Sequence, residues 1–175
     1  TNDTGVTLLA RSTDGGLSWL PAVPIYDPGV ARQTIGTVAV TTPDGVVHVF
    51  FTELGPSASN PAVTEGRLAV IRSIDKGVTW SAPTQIAQLL AVGTRVPSQT
   101  SLSVRAGEIL GTFAANPGDG TLYAVWQDSR FSGGTHDAIA LAGSTDGGRT
   151  WSAPVRVSAD PAVADTGGTA DPGVG

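Results

Sequence analysis

Two stretches of this sequence concentrate side chains that could do chemistry. The first is STDGGRTW, Ser144 to Trp151, which sets Asp146 among hydroxyls and ends on an aromatic. The second is WQDSRFSGGTHDAIAL, Trp126 to Leu141, which gathers Asp128, Arg130, His136 and Asp137 around the flexible pair Gly133 and Gly134. Aspartates can move protons during bond cleavage. An arginine can grip a carboxylate through two parallel hydrogen bonds, because its guanidinium is a planar fork.

The first stretch is not unique within the chain. STDGGLSW runs from Ser12 to Trp19 and SIDKGVTW from Ser73 to Trp80, so all three fit S-x-D-x-G-x-S/T-W at intervals of 61 and 71 residues. A catalytic acid is needed once per site, whereas this aspartate recurs, and internal repetition is an architectural signal. The residue types suit a tight reversal. Asp14, Asp75 and Asp146 are placed to accept hydrogen bonds from N–H groups of their own turns. Gly16, Gly77 and Gly148 supply a backbone angle that a side chain would penalise. Ser12, Ser73 and Ser144 tie the strand ends together, and Trp19, Trp80 and Trp151 offer apolar plates to the sheet. A calcium loop is disfavoured, because the D-x-G of each box lacks oxygen ligands spaced along a loop. No metal site or cofactor is expected.

The elements that position these boxes can be read from their flanks. Apolar strand patterns precede them at VTLLARS, RLAVIRS and AIALAGS, and further strands follow at TQIAQL and VRVSA. Upstream of the second and third boxes lie hairpins turning at Pro43-Asp44-Gly45 and at Pro117 to Gly120. Asp-Gly between apolar runs is a hairpin signal. Each full unit therefore reads as four antiparallel strands with the box between the third and fourth. Units of this kind, repeated at this interval, are what propeller blades look like. The expected architecture is all-β: residues 1–30 the second half of a blade, 31–92 and 93–160 full blades, and 161–175 the start of another or a tail. A ring needs more blades than this, so the natural protein is expected to be longer, with further blades of the parent chain as partners. The absence of an initiator Met and of a signal peptide carries little weight beside that expectation.

The three boxes resemble the Asp-box, or BNR repeat, of the sialidase superfamily of β-propellers, over nearly the whole chain. That resemblance implies a six-bladed ring, an extracellular or cell-surface location, and a glycan or glycoconjugate ligand. It also implies an active site on the disc face opposite the boxes, where strand two joins strand three. On that face the comparable stretch of sialidases carries an arginine that helps hold the sugar carboxylate, and Arg130 is its counterpart here. The acid/base aspartate that follows transfers less directly, since counting back from the box reaches Gly133. Asp137 and Asp128 are the nearest carboxylates. Asp128 closes VWQD as Glu53 closes FFTE, so it reads either as functional or as a partner for backbone N–H groups or an arginine. His136 reads as an exposed loop histidine or a ligand contact, and His48, alternating inside a strand, as packed. Arg95-Val96-Pro97 resembles the Arg-Ile-Pro motif that opens sialidase domains, although SQTSLSVRAGE intervenes before the next strand. Sialidases pair a tyrosine nucleophile with a glutamate. Neither Tyr26 nor Tyr123 has a glutamate in an obvious register.

Composition removes several alternatives. The net charge is −5, Lys76 is the only lysine, and the arginines are scattered singly, so no basic stripe exists for a nucleic acid. Cysteine is absent, which excludes disulfides and thiolate metal sites. No apolar run approaches the ~20 residues of a membrane-spanning helix. Nothing resembles a G-x-S-x-G serine hydrolase elbow. Two readings stay open: a sialidase-like propeller that binds or hydrolyses glycans (an exo-acting glycoside hydrolase, if an enzyme), or a non-catalytic propeller serving as scaffold or interaction module.

Overall fold

The computed structural model describes residues 5–62, 64–96, 99–104 and 107–158, and for 95–104 the backbone alone. It is all-β. Strands β1 (Thr7–Leu9) and β2 (Val23–Tyr26) form a two-stranded sheet. Then β3 (Gln33–Thr41), β4 (Val47–Pro56), β5 (Thr64–Ser73) and β6 (Thr84–Gln88) form a four-stranded antiparallel meander. The second meander comprises β9 (Thr112–Ala115), β10 (Leu122–Asp128), β11 (Ala138–Ser144) and β12 (Val155–Arg156). Between the meanders, β7 (Thr94–Val96) and β8 (Gln99–Val104) pair as a small hairpin over the stretch that intervenes between Arg95 and the next strand. A single 3₁₀ turn, Arg130–Ser132, is the one helical element among the described residues. None of the described helices is long and apolar enough to cross a membrane. The expected segment 161–175 lies outside the described residues.

Burial explains the contrast between the two kinds of strand. In β4 the run His48 to Glu53 is buried at every position, so the strand is covered on both faces and can carry consecutive apolar residues. In β11 burial alternates strictly, as in a sheet with one covered face. The main core lies between the meanders, where Phe50, Leu68 and Val70 meet Phe113, Leu122, Trp126 and Ala140. Phe50 stacks on Phe113 with ring centroids 4.5 Å apart. On the other face of the first meander, Val49, Phe51, Ala69 and Ile71 pack against Ile25 and Tyr26 of β2 and against Trp80. Register fixes the two ends of each meander. Val47 pairs with Ser73 beside the box, and Pro56 pairs with Thr64 at the far end.

Candidate functional site

The three S-x-D-x-G-x-S/T-W segments share one hydrogen-bonded turn. In the third, the Ser144 hydroxyl donates to Asp146 Oδ1 at 2.8 Å and accepts the Gly148 N–H at 2.9 Å. Asp146 Oδ1 also accepts the N–H groups of Arg149 and Thr150, each at 2.9 Å, and Oδ2 accepts the Thr150 hydroxyl at 2.6 Å. Asp75 repeats the pattern with Ser73, Val78 and Thr79, and Asp14 with Ser12 and Ser18. The hydroxyl and N–H of Thr150 are the main reasons the Asp146 carboxyl is held well below the usual carboxylate range, and Thr79 and Ser18 act alike on Asp75 and Asp14. Such a group has no proton to give at neutral pH, and its oxygens are already engaged. The residue after each aspartate also takes a positive φ: 76° at Gly15, 62° at Lys76 and 70° at Gly147.

These turns also join neighbouring units. His48 is fully buried on β4, and its Nε2 lies 3.3 Å from the Gly147 carbonyl, which accepts the proton. Arg11 Nη1 donates to the carbonyl of Lys76, the equivalent residue one unit earlier, at 3.0 Å. Trp151 meets Phe50 edge-on with centroids 6.2 Å apart, while Trp80 packs on the cluster shared with β2. Trp19 is 65% exposed.

At the opposite end, the richest polar cluster centres on Glu53, which is 2% exposed. Its Oε2 accepts from the Tyr26 hydroxyl at 2.6 Å and from Arg67 Nη2 at 2.8 Å, and its Oε1 accepts from Arg32 Nη1 at 3.2 Å. Burial pushes the Glu53 carboxyl up, but the bonds from Arg67 and Tyr26, with both guanidinium charges, outweigh it and keep the group ionised. Burial first, then Glu53, pushes the Tyr26 phenol up, so Tyr26 stays a neutral donor. Sequence reasoning missed this pairing, because Tyr26 belongs to one sheet and Glu53 to the next. Beside the cluster opens a cleft of about 320 Å³.

The equivalent end of the second meander holds the residues singled out from the sequence. Asp128 has no exposed surface. Its Oδ2 accepts from Trp126 Nε1 and Arg130 Nη2, both at 2.7 Å, and its Oδ1 from the Arg130 N–H at 2.8 Å. Burial would raise its carboxyl, and the bonds from Arg130 and Trp126 more than reverse that. Arg130 opens the 3₁₀ turn, donates from Nη2 to the Gln88 carbonyl at 2.9 Å, and lies 5.8 Å over the Trp126 ring. Asp137 accepts the N–H groups of Val92 and Gly93 on its two oxygens, each at 2.9 Å, which clips the segment after β6 to the start of β11. His136 is exposed, with Nδ1 3.1 Å from the Thr135 hydroxyl. Gly133 takes φ 66° just after the 3₁₀ turn. Arg95 lies in β7, and its side chain is outside the described residues. The structure thus brings Asp128 and Arg130 into direct contact and engages Asp137 separately. Among the described residues no group of three or more His, Asp or Glu side chains could hold a metal.

With this geometry in place, the fold can be compared with known proteins. The chain resembles a protein of unknown function from Dyadobacter fermentans, with a TM-score of 0.54 and 21% identity over 88% of this chain and 45% of that one. It also resembles a Hadza microbial sialidase, with a TM-score of 0.50 and 21% identity over 84% of this chain and 30% of that one. An α-L-arabinofuranosidase from Fusarium graminearum matches at a TM-score of 0.46 and 18% identity, over 85% of this chain and 40% of that one. The chain therefore spans less than half the length of these structures. No family model matches the sequence, and no curated protein matches it. At these identities the likeness is one of fold, an all-β, propeller-like architecture of antiparallel sheets.

Proposed function

We propose that the chain is part of a sialidase-like Asp-box propeller that binds or hydrolyses glycans, recognising an acidic sugar on the face opposite the box turns. The observation that carries this reading is the preset guanidinium of Arg130. Asp128, Trp126 and the Gln88 carbonyl fix its direction at the mouth of β10 and β11, so little conformational entropy remains to be lost when it binds. Arg95 in β7 and His136 in the adjoining loop would complete the contacts, with Asp137 and Asp128 the carboxylates nearest the sugar. The reading places the protein outside the cell or on its surface, and has further blades of a longer parent chain complete a six-bladed ring. The exposure of Trp19, where Trp151 lies against Phe50 of the neighbouring meander, supports that last element.

The test is mutational and uses the intact protein, with a fluorogenic sialoside and a glycan array. Arg130→Ala is expected to abolish recognition of acidic glycans, and Arg130→Lys, which keeps the charge but not the fork, to weaken it. Unchanged recognition in Arg130→Lys and Arg130→Ala overturns the reading.

One observation favours the second reading, a non-catalytic scaffold or interaction module. Asp128 is fully buried and Asp137 carries a backbone N–H on each oxygen, so neither is poised to transfer a proton. Binding on the array without sialoside turnover would select it.

A further inference from the structure

The cleft beside Glu53 has a composition of its own. Arg32, Glu53, Glu65, Arg67, Gln85 and Gln88 line it, and its volume of about 320 Å³ is at the lower end for small-molecule clefts. Two guanidiniums face two carboxylates, so the formal charges cancel. Both guanidiniums are already paired with Glu53, and Glu65 adds a carboxylate with no arginine partner among the described residues, which repels an entering anion. The cleft is nonetheless dense in hydrogen-bonding groups with capacity to spare. Glu65 uses Oε1 for the Ser57 hydroxyl, leaving Oε2 for another donor. The Gln85 and Gln88 side-chain amides bond no other described residue. Pro56 and Ala58 add an apolar edge.

Each hydroxyl of a sugar is at once donor and acceptor, and neighbouring hydroxyls present two such groups side by side. Guanidinium, amide and carboxylate forks match that spacing in pairs. Arg32 and Arg67 are held in place by Glu53 before anything binds, which preserves the arrangement.

We propose that this cleft is a binding subsite for one uncharged pyranose ring, distinct from the Arg130 site although it adjoins it through Gln88. The proposal shares with the proposed function only the premise that the ligand is a carbohydrate. The experiment titrates the full chain with methyl glucoside, methyl galactoside and methyl mannoside, observed by NMR, with N-acetylneuraminic acid as the anionic probe. At least one neutral glycoside is expected to saturate. Gln85→Ala and Glu65→Gln should each weaken it at least about fivefold, the equivalent of one hydrogen bond, while the urea midpoint stays unchanged. Binding of none of the three glycosides overturns the proposal, as does equal binding by both variants or tighter binding of the acid in this cleft. Arg130→Ala separates the two readings. It should remove acidic-glycan recognition and leave the neutral glycoside bound, so either reading can fail alone.

Discussion

The Tyr26 hydroxyl donates a 2.6 Å hydrogen bond to Glu53 across the gap between two sheets. Stacking of Tyr26 on Phe51, with centroids 4.9 Å apart, holds the phenol in the direction that makes this bond. Glu53 would be costly to bury alone, so its stability depends on three donors from three chain segments: β2, the β2–β3 connection and β5. Glu53→Gln is expected to destabilise the chain by about 2 kcal/mol, less than for a fully buried pair because both arginines retain access to water. Tyr26→Phe should cost about 1 kcal/mol. Urea unfolding of both single variants and the double variant measures the coupling, which should be favourable. Strict additivity would show that the bond contributes nothing.

Gly55 tests the same cluster from the backbone. A Cβ there would lie 2.6 Å from Arg32 Cγ and 2.8 Å from Nη1, so the arginine lies flat across the strand where only glycine allows it. Gly55→Ala should therefore push Arg32 off Glu53 and cost about 1–2 kcal/mol, as overpacking does. In an Arg32→Ala background the same substitution should be nearly neutral in urea unfolding. An undiminished cost there would locate the clash elsewhere.

The box turns and the meanders were legible because their signals are local. Ser144, Asp146 and Thr150 close a loop within seven residues, and each meander strand shows as a short apolar run bounded by turn residues. The Glu53 cluster was not legible, because Tyr26, Arg32 and Arg67 reach it only through pairing between strands and packing between sheets. Neighbouring-sheet contacts leave no spacing in the sequence. Asp128 as a partner for an arginine was readable from the sequence, but that the arginine is Arg130 depends on the 3₁₀ turn. Lys76 shows a second kind of miss: its positive φ of 62° suits glycine, and the other boxes do carry Gly15 and Gly147 there.

His48 makes the chain sensitive to mild acid. Its Nε2 proton goes to the Gly147 carbonyl, and its Nδ1 is buried without a partner among the described residues. Burial is the main cause that lowers its affinity for a second proton, with the Arg72 charge acting in the same direction and Asp44 and the Gly147 bond opposing. The unfolded chain thus takes up the proton first. This contribution to stability is complete above the ordinary histidine value of about 6.5 and is lost as pH falls through the lower folded value. Urea midpoints should fall between about pH 7.5 and pH 5, before the carboxylates titrate. His48→Gln, which retains an N–H for Gly147, should flatten the dependence over that interval. A midpoint that rises toward pH 5 in the parent chain would contradict this assignment.

The three box tryptophans should differ in what they contribute, although the sequence gives them one motif. Trp151 lies edge-on to Phe50, itself fully buried and stacked on Phe113. Its removal opens the seam between the two meanders, where the ring packs on the core around Phe50. Trp151→Ala should cost roughly 2–3 kcal/mol, at the lower end for a core tryptophan because the ring is half-buried. Trp80→Ala should behave similarly, since Trp80 packs on the buried cluster of Val49, Phe51, Ala69 and Ile71. Trp19 is 65% exposed and has no facing sheet among the described residues, so Trp19→Ala should stay within about 0.5 kcal/mol. Urea unfolding of the three variants at one protein concentration gives the ranking. A Trp19→Ala cost equal to that of Trp151→Ala would mean that another sheet covers Trp19 in solution, and repeating the measurement at tenfold dilution would show whether a second copy supplies it.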